Sequence, residues 1–183
     1  MSNSRIAHKR IQTTTKGPSD IKFFPYLSGE QTPYNEANLR PKFSGTSKST
    51  TAFDMARANQ EGVSFVRRDC LETLRNTDIA PKQLIAISCG SASVYWLHPL
   101  ATVLNLPFAM PSKVEFGVAR LAVCAVTDAK PEEIMTKTLT DRVILPDKNQ
   151  QAAYAKACKK YTTRYPKLKD LQQHTIFFGY FSP

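Results

Sequence analysis

The sequence predicts a mainly α-helical protein: a compact core of five or six helices between extended N-terminal and C-terminal arms. Apolar residues recur at helical spacing from residue 51 onward. The first 48 residues are instead rich in Ser, Thr, Pro and Gly, with several turn signals. We therefore expect a basic arm over residues 1–48, a helical core over 49–165 and a C-terminal arm over 166–183.

The N-terminal arm carries more aromatic residues than disordered segments usually do. Exposed aromatic side chains are typical anchors of protein interfaces. We predict that five of them contact a neighbouring subunit: Phe23, Phe24, Tyr26, Tyr34 and Phe43. The alternative, that they fold back on the core of their own chain, stays open.

The core begins with a predicted helix over 51–76, in which Gly62 is a possible break. A second helix is expected from Pro81 to Leu97, ended by His98 and Pro99. The run "LATVLNLPFAMP" indicates a short apolar turn or helix.

Three further helices are predicted after residue 111. Ser112 and Glu115 form a capping box that opens a helix to about Val126. A short helix starts at Pro131. A last helix, capped by Asp147, ends near Arg164.

The stretch "DIAPKQLIAISCGSASVYWLHP" (78–99) has three possible interpretations. It is too short and too interrupted for a membrane span, which needs about 20 apolar residues. Cys89 and His98 would lie about 13 Å apart on a helix, too far for a nucleophile and its base. We therefore predict a buried central helix whose first turn presents Lys82 and Gln83.

The composition and charge of the chain favour some classes of function and exclude others. The net charge is +10, with eight basic and three acidic residues in 1–50, seven of each in 51–129, and ten against five in 130–183. Basic ends around a neutral middle favour a polyanionic partner.

The four cysteines lack metal-ligand spacing, and neither GxGxxG nor GxxxxGK[ST] occurs. We expect no metal, no cofactor and no enzymatic activity. No apolar run follows the first ten residues, so no secretory signal peptide is expected either.

Three segments resemble, in order and spacing, the coat proteins of flexuous filamentous plant viruses, the potexvirus-like group. They are "IAPKQLIAISCGSASVYWL", "KVEFGVARLAV" and "ILPDKNQQAAYAKA". The resemblance implies a helical core, an N-terminal arm docked on the next subunit, and a C-terminal arm inside a filament. It also implies that four residues face an RNA groove: Lys82, Gln83, Lys113 and Arg120.

The predicted function is a self-assembling viral structural protein that packages single-stranded RNA by neutralising its backbone. Many copies would assemble in the virion or host cytoplasm, and a membrane partner is not expected. Besides Gln83, the predicted RNA contacts in the core are Arg67, Arg68, Arg75, Lys82, Lys113 and Arg120. A second basic stripe consists of Lys156, Lys159, Lys160 and Arg164. The alternatives are a matrix-like viral protein on an anionic membrane and an accessory subunit of an organellar assembly.

Overall fold

A computed structural model describes residues 17–87, 93–111, 116–127, 130–135 and 139–167. Within them the chain forms a mixed α/β fold, so the prediction of a mainly α-helical core with extended arms is wrong. The strands are β1 (Lys22–Phe24), β2 (Lys42–Ser44), β3 (Leu84–Ile85), β4 (Phe108–Pro111) and β5 (Thr140–Ile144). The helices are α1 (Ala52–Arg75), α2 (Val94–Leu104), α3 (Phe116–Val126), α4 (Pro131–Ile134) and α5 (Gln151–Thr162).

The N-terminal segment is folded rather than extended. Strands β1 and β2 pair antiparallel, with Phe23 opposite Phe43, and β1 lies against α1. Phe24 is 1% exposed and its ring stacks on that of Tyr161 at 4.5 Å between centroids. Packing removes the apolar surface of these aromatic side chains from water, where a free arm would leave it, and this burial stabilises the fold.

All five aromatic residues predicted to contact a neighbouring subunit have packing partners within the chain. Phe23 and Tyr26 are buried, Phe43 stacks on Phe23, and Tyr34 stacks on Tyr165. Their contact with another subunit stays a prediction, as do the domain boundaries at residues 48 and 165.

Helix α1 runs unbroken through Gly62. A capping box starts it: the Thr51 hydroxyl oxygen accepts from the Asp54 N–H, and the Asp54 carboxylate accepts from the Thr51 N–H. Gly62 is required for packing instead, because a Cβ there would lie 2.1 Å from the Phe23 carbonyl oxygen. The missing side chain lets β1 cross directly over the helix.

The prediction of one buried helix from Pro81 to Leu97 is wrong. Leu84 and Ile85 form a strand, and α2 begins only at Val94. Pro99 lies inside α2 rather than ending it, and the helix stops at Asn105, whose φ of 53° is left-handed. Trp96 is half-buried and packs against the apolar core between α2 and the three-stranded sheet, so it is not at the centre of a buried helix. Cys89 lies outside the described residues.

The run "LATVLNLPFAMP", predicted as a short turn or helix, is divided: residues 100–104 are the end of α2, whereas Phe108–Pro111 form strand β4, so the prediction is wrong for its last four residues. Helices α3 and α4 occur where expected, while the Ser112–Glu115 capping box lies outside the described residues. Asp147 does not cap α5; it accepts from the Asn149 N–H and the Gln150 amide in the turn before it. No helix among the described residues is long and apolar enough to cross a membrane.

Two apolar cores lie on either side of α1 and α2. The first joins the N-terminal segment, α1 and α5 around Phe24, Phe65 and Tyr161. The second joins α2 to the three-stranded sheet, with members such as Leu100 and Phe108. That sheet has the order β3-β4-β5, in which β3 and β4 are parallel and β5 is antiparallel to β4.

We predict that Gly62→Ala destabilises the protein by at least about 2 kcal/mol, because the new methyl group collides with backbone that cannot move alone. Urea unfolding measures the loss. Gly117→Ala is the matched control: it also lies in a helix, but nothing lies within 4 Å of its added Cβ. That variant should lose no stability. Equal unfolding midpoints for the two variants would contradict a close crossing at Gly62.

Candidate functional site

Two adjacent parallel strands of the three-stranded sheet, β3 and β4, are each followed in the chain by a helix. Both strands end at the same edge of the sheet. The chain then passes through residues 86–93 to α2, and through residues 112–115 to α3. Ligands of open α/β sheets bind outside the carboxyl ends of parallel strands. The N–H groups of a helix first turn form a favourable site for anions. We call this edge, with the first turns of α2 and α3, the carboxyl edge.

The β3 side of the carboxyl edge is fixed by backbone pairing. The Leu84 N–H donates to the Pro107 carbonyl and the Ala86 N–H donates to the Ala109 carbonyl, each at 2.9 Å. The loop that follows has the sequence "AISCGSAS", made mostly of small residues, of which 88–92 lie outside the described residues. Ser93, the N-cap residue of α2, makes no side-chain capping bond.

A buried carboxylate anchors the N-terminal segment to the helices that support this edge. Glu61 of α1 accepts from the Ser19 N–H at 2.9 and 3.0 Å, from Arg57 Nε at 3.1 Å and from the Tyr154 hydroxyl at 3.2 Å. Burial raises the pKa of Glu61, while Arg57, the Ser19 N–H, Lys22 and Tyr154 oppose that shift. The carboxylate therefore joins three segments that are far apart in sequence.

The buried Lys22 side chain extends this network. Its ammonium donates to the Ser19 carbonyl and lies 5.8 Å from the centre of the Phe65 ring. Desolvation lowers the pKa of Lys22, and Glu61 opposes that shift. Both charged residues hold the segment around Ser19 in place, and neither is near the carboxyl edge in the chain.

The structure distributes the residues predicted to bind RNA over several elements. Lys82 and Gln83 are exposed, but they precede β3 at its amino end, so their prediction at a helix N-terminus is wrong. Lys113 lies outside the described residues. On α1, Arg67 is exposed, while Arg75 pairs with Glu72 at 2.8 Å. Each of these assignments to RNA contact stays a prediction.

Arg68 has a structural role instead of a free surface. Its Nη1 donates to the Val103 carbonyl of α2 at 2.6 Å, and its Nε lies 3.3 Å from Glu72. Arg120 is half-buried in α3 and has contacts of its own. The remaining predicted residues are exposed on α5 and the turn after it: Lys156, Lys159, Lys160 and Arg164.

Cysteine and metal chemistry have little support among the described residues. No group of three or more His, Cys, Asp or Glu side chains is placed to hold a metal ion there. Burial raises the pKa of the Cys158 thiol to about 11, so at neutral pH it stays protonated. The Cys70 thiol donates to the Thr32 carbonyl at 3.2 Å, and burial raises its pKa also.

Comparison with known proteins identifies the fold. Residues 3–126 match the model of the C-terminal domain of the FGGY family of carbohydrate kinases. The chain is 32% identical over 165 residues to a xylulose kinase of Klebsiella pneumoniae, covering 87% of this chain and 34% of that protein. It is 29% identical over 176 residues to a xylulose kinase of Escherichia coli (strain K12), covering 93% and 36%.

Solved structures agree with this match. A xyloylose kinase from Brucella ovis superposes with a TM-score of 0.81 at 38% identity, covering 91% of this chain and 35% of that one. The chain therefore belongs to the FGGY family of carbohydrate kinases. It spans 24%, 34% and 36% of the length of the first three curated relatives it matches.

Membership of this family overturns the predicted identity and function. The coat-protein resemblance, RNA packaging, the many-copy RNA assembly and the virion location are all wrong. So is the prediction that the chain is not an enzyme, because its family is one of kinases. The segments that suggested a coat protein are short apolar and Ala-rich runs, and such runs occur in helices and strands of many folds.

The sequence did contain a signal for the carboxyl edge. The run "LIAI" is apolar, rich in β-branched residues and short, and it precedes a Gly/Ser loop. That pattern also suits a buried parallel strand. The absence of GxGxxG and GxxxxGK[ST] argued against a nucleotide-binding protein, but a strand–loop–helix unit needs neither motif to present helix N–H groups.

We predict that Glu61→Ala costs about 3–5 kcal/mol of stability, because it leaves buried donors from three segments without their shared acceptor. Chemical unfolding measures the difference. Glu72→Ala is the control, since Glu72 pairs with Arg68 and Arg75 on a partly exposed face and should cost about 1 kcal/mol or less. A loss at Glu61 no larger than at Glu72 would contradict the anchoring role.

Proposed function

We propose that this chain forms the nucleotide-binding part of a carbohydrate kinase that transfers the terminal phosphoryl group of ATP to a ketopentose of the xylulose type. The observation that carries the proposal is the carboxyl edge, in a chain that belongs to a family of carbohydrate kinases. Two helix first turns at the ends of adjacent parallel strands suit the phosphates of a nucleotide.

The chemistry of phosphoryl transfer explains why such an edge is useful. Kinases act mainly by positioning the reactants and by stabilising the charge on the phosphates. The first-turn N–H groups of α2 and α3 and the positive ends of their dipoles would attract those phosphates.

The substrate class is inferred from relatives. Two curated relatives with substantial coverage are xylulose kinases, and the Brucella ovis structure has a corresponding description. A sugar kinase needs a general base, one carboxylate or imidazole that accepts the proton of the attacking sugar hydroxyl. We propose that this base belongs to the part of a family-length kinase outside this sequence.

One face of the sheet is apolar and uncovered by the described residues at its two outer strands. Ile85, Ala109 and Val143 align across the three strands; Ile85 and Val143 are 67% and 43% exposed, whereas Ala109 between them is buried. Leu145 beyond β5 and Ile87 beyond β3 are exposed as well. Sheets with parallel strands are normally covered on both faces. We propose that the rest of a family-length kinase packs here, because the relatives are about three times as long as this chain.

We predict that the protein binds ADP in the presence of Mg²⁺ with a Kd between about 1 µM and 1 mM, the usual range of enzyme affinities for substrates. Calorimetric titration measures it. Lys156→Glu, on the exposed face of α5, is the control and should leave the affinity unchanged. Absence of saturable binding by folded protein would overturn the proposed function. Phosphorylation assays on a family-length kinase that contains this sequence then rank xylulose, glycerol and gluconate, and we expect xylulose to be the best substrate.

We predict that Ile85→Lys changes the stability of this chain by no more than about 0.5 kcal/mol, because the side chain projects from the uncovered face. Leu97→Lys, in the second core, should prevent folding. Thermal unfolding compares the two. A large loss for Ile85→Lys would mean that another segment of the chain covers this face.

A further inference from the structure

Two carbonyl groups of α2 receive no bond from the N–H four residues later: that of Tyr95 near the start of the helix, and that of Val103, which is among the last four carbonyls that no α-helix pairs. Each helical carbonyl accepts from the N–H four residues later. Pro99 stands four residues after Tyr95, and Pro107 stands four residues after Val103. Proline has no N–H, so neither carbonyl can receive that bond. Polar backbone groups in a folded interior are nearly always bonded in some other way.

Side chains of α1 provide the replacement donors. Gln60, which is 6% exposed, donates from Nε2 to the Tyr95 carbonyl at 2.9 Å. Arg68 donates from Nη1 to the Val103 carbonyl at 2.6 Å. The two donors are eight residues apart on α1, and the two acceptors are eight residues apart on α2. Eight residues span about 12 Å along an α-helix. Because the two donors and the two acceptors have the same spacing and the same order, α1 and α2 lie side by side and run in the same direction.

The Gln60 bond is the one that reaches the carboxyl edge. Tyr95 is the second residue of α2, two positions after Ser93, whose side chain makes no capping bond. The contact from Gln60 is thus a side-chain bond from α1 to the first turn of α2, in addition to the backbone bonds of Trp96 and Leu97 to Ser93. The Arg68 bond lies at the other end of α2, beside the Asn105 cap, away from that turn.

We propose that Gln60 is a positioning residue for the nucleotide site: its amide stands in for the N–H that Pro99 lacks and fixes the first turn of α2 against the phosphates. This inference rests on the proposed function. Gln60 does not touch the nucleotide. It acts through the Tyr95 carbonyl, and the chemical class of ligand is the phosphate group of ADP or ATP.

The test compares Gln60→Leu with the unaltered protein in ADP titrations at a temperature where both are folded. Leucine keeps most of the volume and removes the donor. We expect ADP binding to weaken about five- to tenfold, the effect of losing one hydrogen bond. Arg68→Met is the matched control, because it removes the equivalent bond at the far end of α2. It should lower the melting temperature and leave ADP affinity unchanged.

A second substitution separates positioning from general destabilisation. Pro99→Ala restores an N–H four residues after Tyr95, so Gln60→Leu should weaken ADP binding much less in that background. If Gln60→Leu alone does not fold, the proposal requires that Pro99→Ala restore its folding. An unchanged Kd for Gln60→Leu, or the same loss with and without Pro99, would overturn the inference.

The outcomes distinguish this inference from the proposed function. If the unaltered protein does not bind ADP, the proposed function fails whatever Gln60 does. The link between Gln60 and Pro99 still has its own readout, which is hydrogen exchange of the Trp96 and Leu97 amides at the start of α2. Gln60→Leu should speed that exchange at least about fivefold, and Pro99→Ala should reverse the change. No reversal would mean that Gln60 does not replace the missing N–H.

Discussion

The direct crossing of β1 over α1 is the contact on which the rest of the structure depends. It is possible only because position 62 has no side chain, so the Phe23 carbonyl can lie against the helix backbone. Beside it, Glu61 accepts from the Ser19 N–H, and the Tyr161 hydroxyl donates to the Phe23 carbonyl at 3.1 Å. One turn of α1 thus binds the N-terminal segment and orients α5. A bulkier residue at this point would separate the two halves of the first core.

The same helix extends this order to the proposed nucleotide site. Gln60 of α1 bonds to α2 near its start, and Arg68 of α1 bonds to α2 near its end. Helix α2 in turn packs on the three-stranded sheet. The carboxyl edge is therefore supported by a helix that lies in neither of its strand–loop–helix units. Helix α1 thus links the aromatic first core to the proposed nucleotide site. Such a link suits a kinase, in which precise placement of phosphates matters more than reactive side chains.

Local signals in the sequence predicted several elements correctly. Helix α1 begins at Ala52, next to the predicted start at residue 51, Pro131 starts α4, and α3 follows residue 115. Each of these depends on a few neighbouring residues. The short strands were missed, because strands of two to four residues have too few side chains to show an alternating pattern. Pro99 misled the prediction of α2, since its missing N–H is replaced from α1, which no local pattern reveals.

The fate of the N-terminal aromatics depends on contacts with residues more than 100 positions away, such as Phe24 with Tyr161. Composition alone left open whether they fold back or bind a partner. The carboxyl edge was hidden for a similar reason: the parallel pairing of β3 and β4 brings together segments whose functional feature is backbone, not a side-chain motif. The basic charge, by contrast, suggested a nucleic acid, but part of it has a structural role: Lys22 is buried, and Arg57 and Arg68 form ion pairs.

The most direct measurement of the central claim is the position of bound ADP, mapped by backbone amide chemical shifts in the isotope-labelled protein. The account predicts that the largest changes fall on Ile87, on the first turn of α2 from Ser93 and on Gly117 in the first turn of α3. Changes confined to the basic surface of α5, around Lys156 and Lys160, with the carboxyl edge unaffected, would contradict it.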